Sequence, residues 1–352
     1  MTSNTPLPFF ARVALLLTSV ATVAGCGRPA GVLFEPLLDG PSWPAPPDTP
    51  RVRYIGLLQT DQDLKPAQRP GRRVGEFLFG KDDAHAMLSP LAVSVGASKV
   101  FIADSNGQML HVFDLDSRKY QQWRPAKEQT QFSMPVAVAA DPSGGAMVSD
   151  SVAGLVFVFD STGKCTSTLG ASKLKRPCGI AIEPTTGRIL IVDSAAHQVV
   201  VFSSSGQEVA RIGQRGSDPG NFNFPTNITL DRAGRMYVSD TLNFRIQVFS
   251  PDFQPLRQIG TKGDKPGYFS QPKGLALDSD EHLYVVDANF EAVQMFDPQG
   301  ELLMSFGREG HGPGEFWLPA GICIDPSGRI WVADTYNRRV QVFQYLTEDH
   351  AP

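Results

Sequence analysis

The sequence predicts an all-β fold: a six-bladed β-propeller of four-stranded antiparallel blades, closed by an N-terminal strand. Three observations lead to this prediction. A strand motif recurs, its period is nearly constant, and apolar residues alternate within each copy as they do in strands. An Asp ends the second strand of each copy, at Asp104, Asp150, Asp193, Asp240, Asp287 and Asp334. The spacings of 46, 43, 47, 47 and 47 residues are typical of propeller blades.

The last full copy, residues 318–343, shows the order of elements within a blade. GICID forms a first strand and a PSG turn follows it. RIWVAD forms the second strand, TYN the next turn, and RRVQVF the third strand. Other copies add a fourth, outer strand with a common ending, in EVARIG (208–213), PLRQIG (255–260) and LLMSFG (302–307). Each blade is therefore expected to contain four strands.

Closure of the ring is predicted from an outer strand that the last copy lacks. After Phe343 the sequence continues as QYLTEDHAP, without a fourth strand. A similar segment, RVRYIG, occurs at residues 51–56. We therefore expect residues 51–57 to supply the outer strand of the sixth blade, because closure removes an unpaired sheet edge.

The N-terminal 25 residues are predicted to be a signal peptide. They contain one basic residue, Arg12, and the apolar run VALLLTSVATVA, which is too short to span a bilayer. The ending Val-Ala-Gly-Cys resembles a bacterial lipobox, which implies that Cys26 carries the lipid. The resemblance also implies a lipid-anchored protein of the bacterial cell envelope, on the periplasmic side or at the outer membrane. An ordinary secretory signal with an incidental Cys is the alternative.

Three segments lie around the predicted propeller body, residues 51–346. Residues 26–50 are rich in Pro and are predicted to be a semi-rigid tether. Residues 58–89 form an insert in which Val74, Phe77 and Leu78 have helix-like spacing. The spacing predicts a short helix, which would either cover one edge of the propeller or form a basic lid that docks a partner. Residues 347–352 are a tail.

Composition narrows the range of partners. The chain has 32 basic and 36 acidic residues, for a net charge of −4, and no basic stripe. This disfavours a nucleic-acid partner. Cys165, Cys178 and Cys323 form no CxxC motif, which argues against haem attachment and a thiol redox motif.

Residues 88–343 resemble the NHL repeat of six-bladed propellers. The resemblance is strongest at Pro225–Phe249 and Pro319–Phe343, which share an Asp-x-x-Gly turn and a Val-x-Asp-Thr strand ending. Both also contain Asn-x-Arg-[Ile/Val]-Gln-Val-Phe. The resemblance implies the propeller architecture, but a fold does not determine an activity.

Antiparallel strand order predicts which face of the ring binds a ligand. Turns between second and third strands share one face, here called the link face, with the connections between blades. Turns between first and second strands, and between third and fourth strands, form the turn face and look structural. Long connections on a rigid scaffold commonly bind ligands. The candidate binding residues are Lys175, Arg176, Thr226, Asn227, Lys273, Arg215, Lys262, Arg308 and His311. The first five are predicted to line an anion- or peptide-binding mouth.

The predicted function is a protein- or peptide-binding scaffold, without a cofactor or metal. The recurring Asp residues could form a carboxylate ring, but an Asp followed by a turn more often accepts turn N–H bonds. A metal-dependent hydrolase or lyase is the alternative function. Amidating-lyase propellers, which the repeat resembles, carry His after the Pro that opens a first strand. None of the matching positions here is His, which argues against a zinc lyase. They are Leu91, Val136, Cys178, Thr226, Lys273 and Ala320.

Overall fold

The computed structural model describes residues 30–35, 40–67 and 84–346. Within them the chain forms six antiparallel sheets, five with four strands and one with five. This confirms the predicted six-bladed all-β propeller. The N-terminal strands are β1 (Ser42–Trp43) and β2 (Val52–Leu58). Short 3-10 helices span Asp61–Leu64, Ser194–Ala196 and Thr241–Asn243.

The blades follow in chain order, each beginning at the inner strand. Blade one contains β3 (Pro90–Gly96), β4 (Lys99–Asp104), β5 (Met109–Asp114) and β6 (Lys119–Trp123). Blade two contains β7 (Pro135–Ala140), β8 (Ala146–Asp150), β9 (Leu155–Phe159) and β10 (Cys165–Leu169). Blade three contains β11 (Pro177–Ile182), β12 (Ile189–Asp193), β13 (Gln198–Phe202) and β14 (Glu208–Ile212). Blade four contains β15 (Ile228–Leu230), β16 (Met236–Asp240), β17 (Arg245–Phe249) and β18 (Pro255–Ile259).

Blade five contains β19 (Pro272–Leu277), β20 (Leu283–Asp287), β21 (Ala292–Phe296) and β22 (Leu302–Phe306). Blade six contains β23 (Pro319–Ile324), β24 (Arg329–Asp334) and β25 (Arg339–Tyr345), with β2 and β1 at its outer edge.

The hydrophobic core is divided among the interfaces between adjacent blades. Six clusters of buried apolar residues each combine side chains of two neighbouring sheets. Alternate strand residues point to opposite neighbours, so that both faces of a blade are buried. Phe202, Phe249 and Phe296 occupy equivalent places and are almost completely buried. Burial of one such ring contributes about 1.5–3 kcal/mol relative to exposure.

Small residues line the axis because the inner strands crowd together. A Cβ at Gly179 would lie 2.7 Å from Asn227 Cα, and one at Gly321 would lie 2.7 Å from Ala92 Cα. At Gly274 the obstacle is the Ala320 carbonyl oxygen, at 2.5 Å. Glycine therefore permits the close approach of neighbouring inner strands.

The N-terminal strand closes the ring as predicted, although in a different register. Strand β2 pairs antiparallel with β25, from Val52 opposite Tyr345 to Leu58 opposite Val340. The residue opposite the equivalent of Val340 in blade three is Ile212. Leu58 therefore takes the place of Ile212. The sequence comparison of RVRYIG with EVARIG equates Ile55 with Ile212, which is three residues too early. Burial of alternate side chains determines the register, and one Ile-Gly ending does not.

The Pro-rich segment is not a tether along its whole length. Strand β1 pairs with β2 through Ser42 opposite Arg53 and Trp43 opposite Val52. The Trp43 ring lies 5.8 Å from the ring of Phe306 and 5.8 Å from that of Phe343. Pro is compatible with the edge of a sheet, so a high Pro content did not exclude this packing.

Several sequence predictions fall outside the described residues. They are the signal peptide and Cys26, the helix at residues 74–78, and the tail at 347–352. In the described part of the insert, Thr60 caps the 3-10 helix Asp61–Leu64. None of the helices within the described ranges has the length and apolarity needed to cross a membrane.

Candidate functional site

The recurring Asp residues hold the links and turns of the link face in place. All six are completely buried. Asp150 accepts N–H bonds from Ser133 and Met134 in the preceding link, at 2.6 and 2.8 Å, and from Val152 and Ala153 in the following turn. The predicted role as an acceptor of turn N–H bonds is confirmed for Asp104, Asp150, Asp193 and Asp287. Asp240 and Asp334 accept from the side-chain amides of the turn residues Asn243 and Asn337. The Asp150 carboxylate also ties the link between blades to the turn.

Blades four and six strengthen this arrangement with an Arg and a Gln. In blade six, Asp334 accepts from Arg339 Nε at 2.7 Å and from Gln341 Nε2 at 3.0 Å. Arg339 also donates to the carbonyl oxygens of His311, Gly312 and Glu315. Arg339 therefore holds residues 311–315 of the link through three partly buried hydrogen bonds.

Three of the predicted residues lie together at the link-face end of the axis. Thr226 N–H donates to the Ser239 carbonyl at 3.0 Å, and Ser239 Oγ donates to the Lys273 carbonyl. Asn227 follows Thr226 and lines an axial cavity of about 190 Å³. Burial lowers the pKa of Lys273, and the Asp287 carboxylate opposes this shift. We call Thr226, Asn227 and Lys273 the axial mouth.

The basic residues Lys175 and Arg176 are exposed in the link that leads to β11. Their backbone N–H groups donate to Asp193 at 2.8 and 2.9 Å. Arg176 lies two residues before Cys178, the equivalent of Thr226. The Cys178 thiol is buried enough to raise its pKa to about 11. The segment adjoins the axial mouth through its backbone, since Gly179 N–H donates to the Thr226 carbonyl at 2.9 Å.

The remaining four predicted residues lie farther out, in three different links. Arg215 and Lys262 occupy equivalent places, each bridged to the Phe that ends its link. Arg308 pairs with Glu315 at 2.8 Å. His311 contacts Asn337 through Nδ1. The nine predicted residues thus share the link face but do not form one site.

An exposed aromatic cluster on blade six was missed by the sequence analysis. Trp317 and Tyr336 are 42% and 56% exposed, and their ring centroids are 5.3 Å apart. His311 lies edge-on to Trp317, at 5.2 Å. Equivalent positions of Trp317 in blades four and five hold Asn223 and Ser270. A Trp where the otherwise similar links of blades four and five have small polar residues was the signal that could have revealed it.

The turn face contains a cavity of about 780 Å³ between blades four, five and six. Its lining includes Leu230, Leu277 and Ile324, the ends of three inner strands. The neighbouring carboxylates are occupied by their own turns and strands. Asp278, for example, accepts from His282 Nδ1 and from the Tyr284 hydroxyl. Among the described residues, no group of three or more His, Cys, Asp or Glu is placed to hold a metal ion.

Comparison with protein families agrees with the observed fold. Residues 316–343 match the NHL repeat, and residues 179–235 match a family described as a 6-bladed beta-propeller. The chain is a six-bladed β-propeller with an NHL repeat. No curated protein matches this propeller significantly.

Solved structures with the same fold serve different purposes. A virginiamycin B lyase from Staphylococcus aureus is 17% identical, with a TM-score of 0.55, and the match covers 73% of this chain and 95% of that one. An auxiliary nutrient binding protein from Bacteroides thetaiotaomicron is 14% identical, with a TM-score of 0.59, over 74% and 69% of the two chains. At such identities the similarity concerns the fold alone.

Proposed function

We propose that this propeller is a lipid-anchored protein of the bacterial cell envelope that binds a protein or peptide through its link face. The exposed cluster of Trp317, Tyr336 and His311 is the observation that carries the proposal. The lipobox-like ending at Cys26 supports the anchor and the location.

The aromatic cluster has the properties of a binding hot spot. Trp and Tyr are enriched among residues that dominate binding energy, and they offer a large contact area. The backbone beneath them is already ordered, because Trp317 N–H donates to Asp334 at 2.8 Å and Tyr336 N–H donates to the Trp317 carbonyl. Binding therefore requires little further ordering of the backbone at this site.

The axial mouth extends this surface toward the centre of the ring. Trp317 lies three residues before Ala320, whose carbonyl oxygen packs against Gly274. Lys273 precedes Gly274 at the start of β19, and Trp317 lies just before β23. The Lys273 side chain and the aromatic cluster therefore belong to the starts of two neighbouring inner strands. A peptide that crosses this region places apolar side chains on the rings and a carboxylate near Lys273.

The binding experiment begins with proteins that co-purify with the lipidated chain from its native envelope. A purified candidate is then titrated against the unmodified propeller and against the double variant Trp317→Ala/Tyr336→Ala. Loss of two hot-spot side chains is expected to weaken binding at least about 30-fold. The control is Leu256→Ala/Leu303→Ala, which removes side chains of similar exposure from outer strands. Equal Kd values for both double variants would contradict the proposal.

Metal analysis distinguishes the scaffold from the alternative metal-dependent hydrolase or lyase. We expect the purified propeller to contain less than stoichiometric Zn and Ca after dialysis. One tightly bound ion per chain would favour the enzyme instead.

Anchoring is tested separately, since Cys26→Ala is expected to move the protein from the membrane fraction to the soluble fraction.

A further inference from the structure

We infer that the lipid-anchored propeller stands edge-on to the membrane, with the outer rim of blades six and one toward the lipid surface. This rests on the lipid anchor at Cys26 proposed above. It goes further because it specifies which part of the propeller faces the membrane. The argument depends on how residues 30–35 and 40–50, here called the N-terminal ribbon, pack on the propeller.

The ribbon enters the groove between blades five and six. Strand β1 extends the sheet of blade six, and Arg51 N–H donates to the Trp43 carbonyl. The Trp43 ring packs directly on Gly314. A Cβ added to Gly314 would lie only 2.4 Å from the Trp43 ring. Near the equivalent Gly267 the closest side-chain atom belongs to Leu302, a residue of the blade's own outer strand. Trp43 therefore adds a contact at this glycine that blade five lacks, because the blade-six equivalent of Leu302 is Tyr54.

The ribbon also covers the side of blade six that faces blade one. Phe34 lies edge-on to Trp331 at 5.0 Å, with the Arg329 guanidinium 5.7 Å from its ring. Gly31 N–H donates to the Lys65 carbonyl at 3.0 Å, and Lys65 Nζ donates to the Val32 carbonyl at 2.8 Å. The carbonyl of the preceding residue, Leu64, accepts a hydrogen bond from the Arg118 side chain of blade one at 3.0 Å. The ribbon is thus fastened at the rim between blades six and one.

Exposure at the outer-strand bulges shows the effect of this cover. The bulge residues of blades three to five are about half exposed: Val209 55%, Leu256 55% and Leu303 49%. The bulge residue of blade six, Ile55, is 5% exposed. Leu33 and Phe34 pack against the cluster that contains Ile55. The ribbon therefore behaves as part of the propeller body.

A docked ribbon leaves little chain between lipid and protein. Four residue steps separate Cys26 from Ala30, which allows at most about 14 Å. If the ribbon were undocked, the 26 steps from Cys26 to Val52 would allow roughly 90 Å. The short reach keeps the rim of blades six and one near the lipid. Both the link face and the turn face then point sideways and stay accessible to a partner.

The orientation is tested on the lipidated full-length chain in vesicles whose headgroups carry an energy-transfer acceptor. A fluorescent amino acid is placed at Lys119, on the outer strand of blade one, or at Leu256, on the outer strand of blade four. These blades lie on opposite sides of a six-bladed ring. Transfer is expected to be several-fold more efficient from position 119. Equal efficiencies from the two positions would overturn the inference.

Two further variants test whether the ribbon causes the orientation. Phe34→Ala/Trp43→Ala is expected to undock the ribbon, so that transfer from the two positions becomes similar while the protein stays on the vesicles. Phe34→Leu/Trp43→Phe keeps apolar contacts and is expected to preserve the contrast. Thermal unfolding of each variant verifies that the propeller remains folded. A contrast unchanged by undocking would contradict the role of the ribbon. Failure of the lipidated chain to bind vesicles would instead contradict the proposed anchor.

Discussion

Blades four and six have nearly the same framework but different surroundings. Both hold their link with an Asp, an Arg and a Gln: Asp240, Arg245 and Gln247 in blade four, and Asp334, Arg339 and Gln341 in blade six. Blade four is built from one continuous stretch of chain. Blade six takes its outer strand from the N-terminal region.

Residues on the link surface differ where the framework does not. Asn223 and Leu242 in blade four correspond to Trp317 and Tyr336 in blade six. The comparison shows that residues repeated in several blades build the scaffold. Residues that occur in one blade only adapt that blade for closing the ring or for contacting a partner. Predictions that separate these two classes follow, beginning with the largest expected effect.

Deletion of residues 51–58 is expected to destabilise the propeller most, because the two-residue strand β1 is too short to replace β2. Val52, Tyr54, Ile55 and Leu58 are almost completely buried. At about 1.5–3 kcal/mol per side chain, their loss costs on the order of 10 kcal/mol at most. Thermal unfolding and size-exclusion chromatography are expected to show early melting and self-association. A truncated chain that melts like the full one would refute closure by β2.

Asp240→Ala and Asp334→Ala are expected to have similar, smaller effects. Each removes a buried carboxylate and leaves the Arg at 2.7–2.8 Å without its partner. Such a loss typically costs about 3–5 kcal/mol. Urea unfolding of both variants measures the cost. A much smaller loss in either blade would mean that the two frameworks are not equivalent.

A still smaller effect is expected from acid at blade one, where His111 takes the place of Gln247 and Gln341. Burial alone would raise the pKa of Asp104, but hydrogen bonds from His111 and from the Leu88, Ser89 and Gly107 N–H groups lower it below its usual value. This carboxylate therefore stabilises the fold above the unfolded pKa of about 3.9. The contribution disappears as the pH falls further through the folded pKa.

Asp104→Asn tests this pH dependence. Urea midpoints of the variant and the unmodified protein are compared between pH 3 and pH 6. The difference between them is expected to be largest near pH 6 and to shrink below pH 4. A difference that does not depend on pH would contradict the role assigned to the Asp104 charge.

Features that recur along the chain could be predicted from the sequence. The alternation of apolar residues and the spacing of the Asp residues determine the blades, and the missing outer strand indicates closure. The docking of Trp43 could not be predicted, because one Trp in a Pro-rich segment carries no period. The register of β2 depends on which side chains become buried, so a short similarity misplaced it. The turn-face cavity arises where three blades meet, and no local pattern encodes that.

The nine candidate residues show the same limit at the site. Lys273 and Thr226 share a place in the repeat, Asn227 follows Thr226, and the fold brings the three together. Arg215, Lys262 and Arg308 lie in the corresponding links of three different blades, so the ring separates them. Trp317 and Tyr336 are singular residues and could have been recognised only as departures from the repeat.

Hydrogen–deuterium exchange of the propeller with and without its purified partner tests the central claim most directly. The account predicts that binding protects residues 307–318 and 334–339 of blade six. The equivalent residues of blade four, 213–224 and 240–245, should change little. Protection confined to blade four, or to the turn-face segments 278–282 and 325–329, would contradict it.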